Sequence, residues 1–258
     1  MFHCLLGDIN VASISFKKRI RQGHKVLGAW MCSPNPVFAE LASSLQLDFI
    51  IVDMEHGAID IADLPNILRG FSGSCAPIVR IPYAHPSFVA RVLDRGAAGV
   101  MVPRVDTVQQ ARDCARAAHY PPEGERGKAI PMIRGSQYGL ESNYRNRSND
   151  EVFVSVQVES SQSIKVLSDI VSEPLVDLVF IGPSDLSANM QLEAPADQEQ
   201  FWKIMDGIAQ TCKKADMPVG TIPFAGVSSS ELFKKGFSMV AAGSDVTMMR
   251  QGIADLKG

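Results

Sequence analysis

The hydrophobic positions of the chain fall into eight short runs, and longer segments with helical periodicity lie between most of them. A short run of Val, Ile and Phe bounded by turn residues is typical of a buried strand, whereas apolar residues spaced three and four apart are typical of an amphipathic helix. Strands that alternate with helices in this way indicate a parallel sheet. The eight predicted strands are residues 26–31, 49–52, 77–81, 99–102, 152–158, 178–181, 218–222 and 239–242.

Helical segments occupy most of the gaps between these strands, and one further helix precedes the first strand. Eight β/α units in a chain of 258 residues match the size of a TIM barrel. We therefore predict the α/β class and a (β/α)8 TIM barrel, with an extra N-terminal helix within about residues 10–23 that covers its bottom. The predicted helices cover residues 13–22, 36–45, 86–95, 107–118, 162–171, 198–215 and 229–235.

The alternative fold is a doubly wound open sheet, which would need a glycine-rich phosphate loop after an early strand, and the sequence has none. No linker-like change of composition divides the chain, so residues 1–258 are predicted to form a single domain. The long irregular segment is residues 120–151, which begins with Tyr120-Pro121-Pro122 and contains four arginines. We expect this loop on the active-site face, where long loops shape substrate choice.

Composition argues against several classes of function. The net charge is −3 with both signs mixed along the chain, so no basic stripe indicates nucleic acid, and no run of about 18 apolar residues indicates a membrane span. Five cysteines are scattered without a C-x-x-C pair, which is typical of reduced thiols. The first ten residues lack the basic and apolar segments of a signal peptide. We predict a cytoplasmic protein without nucleic-acid or membrane partners.

Two acidic residues follow predicted strands near the point where each strand ends. Glu159 comes directly after the run 152–158, and Asp185 comes shortly after the run 178–181. A carboxylate at such an exit is costly to desolvate unless it stays wet, is paired or binds a cation. Oxygen ligands of this kind suit Mg²⁺ or Mn²⁺, so we predict one divalent metal site there. The alternative is that both acids are helix caps or surface residues.

Arg80 ends the third predicted strand and is the candidate for stabilising negative charge. A guanidinium at a barrel mouth can bind a metal-bound 2-oxoacid and stabilise charge that grows on its keto oxygen. The alternative is an ion pair between Arg80 and Asp53 or Glu55. Gln157 lies two positions before Glu159, so both side chains are expected on the same face of their strand.

His56 follows the second predicted strand and is the candidate for proton transfer, because histidine exchanges protons near neutral pH. A purely structural histidine is an equal alternative from the sequence. Asp94 is a candidate partner for its other ring nitrogen. The turn Gly182-Pro183-Ser184 can offer backbone N–H groups to a substrate carboxylate at a helix N-terminus, or it can simply be a tight strand-to-helix turn.

Seven short motifs, taken in order along the chain, resemble those of the HpcH/HpaI aldolases. The resemblance extends from about residue 26 to residue 252. It implies a metal-dependent class II pyruvate aldolase with a TIM barrel of the phosphoenolpyruvate/pyruvate-superfamily type. The motifs are Asp53-Met54-Glu55-His56-Gly57, Pro77-Ile78-Val79-Arg80, Leu93-Asp94-Arg95-Gly96-Ala97, Val102-Pro103-Arg104-Val105, Tyr120-Pro121-Pro122, Val156-Gln157-Val158-Glu159 and Phe180-Ile181-Gly182-Pro183-Ser184-Asp185-Leu186-Ser187.

The resemblance implies a role for each candidate residue. Glu159 and Asp185 match the ligands of a divalent metal, for which Mg²⁺ and Mn²⁺ are expected and Co²⁺ is a further candidate. His56 matches the general base, with Asp94 as its orienting partner, and Arg80 matches the arginine that stabilises the enolate. The positions that match the oxoacid-binding residues, beside Arg80, are Gln157, Gly182, Pro183 and Ser184.

The family cleaves 4-hydroxy-2-oxoacids reversibly to pyruvate and an aldehyde through a metal-stabilised enolate. Its members usually form hexamers in which a C-terminal helix packs on a neighbour, so a homo-oligomer, hexamer or trimer, is expected here. One segment departs from the family pattern: after Tyr120-Pro121-Pro122 the family often continues to Arg-Gly-Val-Gly, whereas this chain has Arg126-Gly127-Lys128-Ala129-Ile130-Pro131. The identity of the aldehyde is therefore open.

Two other functions are compatible with the same fold. One is an oxaloacetate-using enzyme, either a decarboxylase or a citrate-forming enzyme that condenses oxaloacetate with an acyl-CoA. The other is a non-catalytic oxoacid-binding paralogue, against which the intact set of His56, Arg80, Glu159 and Asp185 argues.

Overall fold

The computed structural model describes residues 14–257, which form a closed barrel of eight parallel strands. The strands pair in chain order, and the first strand pairs with the eighth. The predicted TIM barrel is therefore confirmed, and a closed sheet excludes the doubly wound alternative. The strands are β1 (Val26–Met31), β2 (Phe49–Asp53), β3 (Ala76–Arg80), β4 (Gly99–Val102), β5 (Phe153–Val158), β6 (Leu178–Ile181), β7 (Val219–Thr221) and β8 (Met239–Ser244).

Helices follow the strands and surround the barrel, and in residues 14–257 none is long and apolar enough to cross a bilayer. Short 3₁₀ turns cover Ile130–Met132, Arg134–Ser136 and Pro195–Asp197. The α-helices are α1 (Phe16–Arg21), α2 (Pro36–Ser44), α3 (Leu64–Ile67), α4 (Pro86–Asp94), α5 (Val108–Ala118), α6 (Tyr144–Glu151), α7 (Ser161–Lys165), α8 (Leu167–Ile170), α9 (Pro183–Met190), α10 (Gln198–Lys214), α11 (Ser229–Lys234) and α12 (Asp245–Asp255).

The helices differ from the predicted ones in several places, and α9 and α12 are also absent from the predicted set. The helix predicted over residues 162–171 is divided at Val166 into α7 and α8. Helix α3 is a single turn, which is too short to show a period, and α6 is polar all round, so neither was predicted. These differences leave the order of strands around the barrel unchanged.

Alternation along each strand separates two apolar layers. In β2, Phe49 and Ile51 face the barrel interior, whereas Ile50 and Val52 face the surrounding helices. The interior is thus a packed core of side chains rather than a channel. Its buried members are Phe16, Ile20, Val26, Phe49, Ile51, Ala76, Ile78, Met101, Phe153, Leu178, Phe180, Met239 and Ala241.

Helix α1 closes the amino-terminal end of the barrel. Ser15 caps it by accepting a hydrogen bond from the backbone N–H of Lys18. Phe16 makes edge-to-face contacts with Phe49 and Phe153, at centroid distances of 5.8 and 5.0 Å, at the start of β2 and β5. Of the helix expected within residues 10–23, residues 10–13 lie outside the described part of the chain.

Three ion pairs join α1 to the starts of β2 and β6, and one of them is the 3.4 Å contact of Lys17 with Asp177. Arg19 pairs with Asp48, which precedes β2. Nη2 of Arg21 lies 2.7 Å from Oδ1 of Asp177, which precedes β6 and is fully buried. Because Asp177 also accepts the backbone N–H of Val154 at 2.9 Å, the helix is joined to β5 as well.

The long segment 120–151 does not lie on the active-site face, contrary to the prediction. It joins the end of α5 to the start of β5, so both of its ends lie at the amino-terminal end of the barrel. Arg134 donates hydrogen bonds to the backbone carbonyls of Arg95 and Leu68, at 3.1 and 3.3 Å, which follow α4 and α3. Because the segment follows a helix rather than a strand, the prediction that it lies on the active-site face of its own chain is wrong.

Candidate active site

A layer of polar side chains lies above the apolar interior, at the carboxyl-terminal end of the strands. Asp53 and Arg80 are the last residues of β2 and β3 and pair in register. Gln157 lies in β5, and Glu159 follows that strand directly. These positions continue the inward-facing alternation of their strands, so the four side chains converge on the barrel mouth. All four are buried, with exposed fractions between 2% and 7%.

Arg80 is held in one orientation by its neighbours. Its Nε and Nη2 donate to the two carboxylate oxygens of Asp53 at 2.8 and 2.7 Å, and its guanidinium lies 4.4 Å from the ring centroid of Trp30. Nη1 lies 2.9 Å from Oε2 of Glu55 and donates a long hydrogen bond, 3.4 Å, to Oε1 of Gln157. The ion pairs considered as the alternative are thus both present, and they direct the Nη1 edge toward Gln157.

Glu159 accepts one hydrogen bond at each carboxylate oxygen. Nε2 of Gln157 donates to Oε2 at 2.9 Å, and the backbone N–H of Arg104 donates to Oε1 at 2.7 Å. Burial raises the pKa of Glu159 to about 7, and the charges of Glu55 and Asp185 act in the same direction, whereas the N–H of Arg104 opposes them. The protein alone therefore does not fully offset the cost of a negative charge on this buried carboxylate.

Asp185 lies in the first turn of α9, which begins directly after Gly182. It is exposed, and its charge contributes to the raised pKa of Glu159 after burial and Glu55. A Cβ atom placed on Gly182 would lie 2.6 Å from Oε2 of Glu159. Glycine is therefore needed for α9 to begin this close to the carboxylate. The predicted turn Gly182-Pro183-Ser184 forms the strand-to-helix turn at the mouth.

The donor set at the mouth fits a divalent cation. The charges of Glu55 and Asp185 both act on Glu159, and Arg80 is paired with Asp53 and with Glu55. Oε2 of Glu55 is buried, and its contact with Nη1 of Arg80 is an ion pair without hydrogen-bond geometry in the described residues. Within residues 14–257, no three Asp, Glu, His or Cys side chains form a ready-made metal cluster. A cation here would have few protein ligands and keep positions for water or substrate, as Mg²⁺ commonly does.

His56 stands at the rim of this site. The backbone N–H groups of Glu55 and His56 donate to Oδ1 of Asp53 at 3.0 and 3.4 Å, so Asp53 orders the turn that presents the imidazole. The side chain of His56 is 64% exposed, and its Nε2 lies 3.9 Å from Oε2 of Glu55. Burial raises the pKa of Glu55, with the charge of Arg80 opposing it.

Asp94 does not lie beside His56 of the same chain. The predicted pairing of these two side chains within one chain is therefore wrong. Asp94 ends α4, which runs back toward the amino-terminal end of the barrel. Its Oδ1 accepts a hydrogen bond of 2.8 Å from Nη2 of Arg126. Arg126 in turn lines a cavity of about 420 Å³ together with Ala76 and Val152, which lie at strand starts. The two predicted partners therefore lie at opposite ends of the barrel.

Three contributors to the site are not assigned such a role from the sequence. Trp30 occupies an inward position near the end of β1, and this alternation was the available signal for its contact with Arg80. The sequence predicts Glu55 only as an ion-pair partner of Arg80, whereas the structure also brings its charge to bear on Glu159. The backbone of Arg104 has a φ of +47°, and no sequence pattern indicated its contact with Glu159.

A parallel barrel with buried carboxylates and an arginine at its carboxyl-terminal mouth has the arrangement in which barrel enzymes carry out catalysis. The chain belongs to the HpcH/HpaI aldolase/citrate lyase family, whose model matches residues 27–252. The resemblance inferred from the motifs is thereby confirmed.

Named relatives cover most of the chain. It is 33% identical over 233 residues to the hydroxypyruvate/pyruvate aldolase of Agrobacterium fabrum, a match that spans 90% of this chain and 88% of that protein. It is 32% identical over 234 residues to the 2-keto-3-deoxy-L-rhamnonate aldolase of Shigella sonnei, with the same coverage of 90% and 88%. A crystal structure of an HpcH/HpaI aldolase/citrate lyase family protein from Burkholderia cenocepacia matches with a TM-score of 0.84 at 27% identity, over 94% of this chain and 98% of that one.

Proposed function

We propose that this chain is a metal-dependent lyase that reversibly cleaves a 4-hydroxy-2-oxoacid to pyruvate and an aldehyde. Membership of the family supports a carbon–carbon lyase, and the relatives named above are aldolases. The main structural support is the chain of contacts from Asp53 through Arg80 and Gln157 to Glu159 at the barrel mouth. These contacts hold a cation and a buried carboxylate close together, which supports the binding of one small oxoacid at this point.

Glu159 and Asp185 are the residues proposed to hold a divalent cation, Mg²⁺ or Mn²⁺, with Co²⁺ as a further candidate. When bound, such an ion polarises the keto oxygen of a 2-oxoacid and neutralises the clustered carboxylates. The first backbone N–H groups of α9, at Ser184 and Asp185, have no partner within the helix and suit the substrate carboxylate. Gln157 lies between Arg80 and Glu159 and is proposed to position the oxoacid.

In the cleavage direction, His56 takes the proton of the C4 hydroxyl. The C3–C4 bond then breaks, its electrons form the enolate of pyruvate, and the aldehyde leaves. Arg80 stabilises the charge on the C2 oxygen, and loss of one donor of this kind typically costs about 10²–10³ in rate. A proton returned to C3 gives pyruvate. Because the His56 side chain is 64% exposed, the proton that it takes can exchange with water.

The proposal is tested without knowledge of the aldehyde by exchange of the pyruvate methyl protons with D₂O, followed by proton NMR. We expect exchange with Mg²⁺ or Mn²⁺, its loss in EDTA and its recovery when the metal is restored. Exchange by rigorously metal-free protein would contradict the metal dependence. Absence of exchange, together with decarboxylation of oxaloacetate, would instead favour the oxaloacetate-using alternative.

Self-association and location belong to the same proposal. Helix α12 exposes Val246, Met248, Met249 and Ile253, each at least 46% exposed, which suits a contact with another copy in a trimer or hexamer. Light scattering should give a mass well above the 28.0 kDa of one chain, and substitution of Ile253 by Glu should lower it, whereas Gln251→Glu on the same helix should not. The cysteines that the structure describes form no disulfide, which is typical of the reducing cytoplasm.

A further inference from the structure

We propose that Arg104 selects aldehydes that have an anionic oxygen group, a carboxylate or a phosphate, on the part of the molecule away from the reacting carbonyl. This inference rests on the proposed aldolase function and narrows its substrate class. It concerns the guanidinium of Arg104 and is separate from the backbone contact of the same residue with Glu159.

Arg104 stands at the edge of the active site. It is the second residue after β4, and its backbone nitrogen lies 2.7 Å from Oε1 of the candidate metal ligand Glu159. Its side chain is exposed. No carboxylate of residues 14–257 forms an ion pair or hydrogen bond with its guanidinium, unlike that of Arg80, which has two carboxylate partners. The guanidinium is therefore available to a ligand at the mouth.

Arg104 differs in charge from the other charged residues that directly follow the strands. If the first two residues after each of the eight strands are taken together, Arg104 is the only lysine or arginine among them. The other charged residues in this set are Glu55, Glu159 and Asp245. An aldehyde with a negative group would be repelled by acids at the mouth, so its selection needs a cation at the rim.

The backbone of Arg104 does not explain why arginine is present. Its φ of +47° lies in the left-handed region, which glycine and asparagine adopt more readily than arginine. The backbone N–H that Glu159 accepts would be supplied equally by glycine. What arginine adds at this position is a planar cation with several donors, which suits a carboxylate or phosphate.

The test compares matched aldehydes in the condensation with pyruvate. Succinic semialdehyde is paired with butanal, and glyceraldehyde 3-phosphate with glyceraldehyde, so each pair differs mainly in its anionic group. The wild-type enzyme should prefer the anionic member of at least one pair in kcat/KM. The pair that shows the preference identifies carboxylate or phosphate as the group recognised.

The variant that isolates the side chain is Arg104→Gly, because glycine retains the left-handed backbone and the N–H to Glu159. We expect kcat/KM for the anionic aldehyde to fall about 10–100-fold, mainly through KM, which is the range for a charged hydrogen bond. The neutral aldehyde should change far less, and Arg104→Lys should recover part of the preference. Arg91→Met removes an exposed arginine from the outer helix α4 and should leave the preference unchanged.

Two results would overturn the inference. One is a wild-type enzyme with no preference for the anionic member of either pair. The other is an equal loss for both members of a pair in Arg104→Gly, since that loss would come from Glu159. Failure of the proposed function itself is distinguishable, because it would abolish the exchange of pyruvate methyl protons in the wild-type enzyme, where no aldehyde takes part.

Discussion

Arg80 and Asp53 are register neighbours at the ends of β3 and β2, and two parallel hydrogen bonds join the guanidinium to the carboxylate. The same carboxylate accepts the backbone N–H groups of Glu55 and His56. One buried acid thus orients both the arginine and the turn that presents the imidazole. Asp53 is in this sense a positioning residue for two different steps of the proposed chemistry.

Substitution of Asp53 by Ala should destabilise the protein strongly, because it removes a partner of an arginine that is only 7% exposed. Loss of one partner of a buried ion pair typically costs about 3–5 kcal/mol, and Glu55 is close enough to Arg80 to keep the loss near the lower end. Urea denaturation measures the change. Asp113→Ala, on the exposed face of α5, should change stability by less than about 0.5 kcal/mol, and equal losses in the two variants would contradict the assignment.

Substitution of Arg80 by Ala should abolish most turnover while metal binding remains. The expected fall in the exchange rate of pyruvate methyl protons is about 10²–10³-fold, because a donor to the keto oxygen is lost. Arg80→Lys keeps the charge but not the paired hydrogen bonds to Asp53, so it should recover only part of the rate. Calorimetric titration with Mn²⁺ separates the two effects, and unchanged turnover in Arg80→Ala would reject the role.

The stabilisation by metal should depend on pH through Glu159. Burial raises the pKa of this group to about 7 in the folded chain, above the value of about 4.3 for a free glutamate. The stability that its proton contributes is therefore complete below about pH 4.3 and is lost as pH rises through about 7. A cation competes with that proton, so Mn²⁺ should raise Tm more at about pH 8 than at about pH 6.

The control for this pH dependence is Glu159→Gln, which cannot ionise. In that variant the stabilisation by Mn²⁺ should be small at both pH values. Thermal unfolding scans with and without metal provide the measurement. A wild-type increase in Tm that is the same at both pH values would show that Glu159 does not compete for protons with the cation.

Gly182 should not tolerate a side chain, because a Cβ would lie 2.6 Å from Oε2 of Glu159. Gly182→Ala is expected to move α9 or the carboxylate and so to weaken Mn²⁺ binding by at least about tenfold. Gly207→Ala is the matched control, since Gly207 lies exposed in α10 with no atom within 4 Å of an added Cβ. That control should raise stability by up to about 1 kcal/mol. Equal metal affinity in both variants would contradict the close approach.

Alternation along the strands made much of the fold and part of the site predictable. The inward positions of β2 and β3 lead directly from apolar residues to Asp53 and Arg80, and those of β5 lead from Phe153 through the buried Ser155 to Gln157. A buried strand that ends in a charged residue is a strong signal, because the cost of burying the charge must be offset locally. For this reason the sequence alone predicts which residues lie at the mouth of the barrel, although not how they contact one another.

The features that could not be predicted from the sequence are those that depend on which end of the barrel a segment reaches. The sequence predicts Asp94 beside His56, but the direction of α4 places Asp94 with Arg126 at the other end of the barrel. Segment 120–151 was placed on the wrong face for the same reason. The left-handed backbone of Arg104 could not be predicted either, since the residue at that position is neither glycine nor asparagine.

Helix α1 has a mechanical consequence for the opposite end of the barrel. Its ion pairs tie Asp48 before β2 to Asp177 before β6, and in a ring of eight these two strands stand across the diameter from each other. The helix therefore connects two opposite strands and opposes a change in the distance between them. The same two strands lead to Glu55 and Asp185 at the other end, so a helix one strand length away from the site joins the two strands that carry these acids.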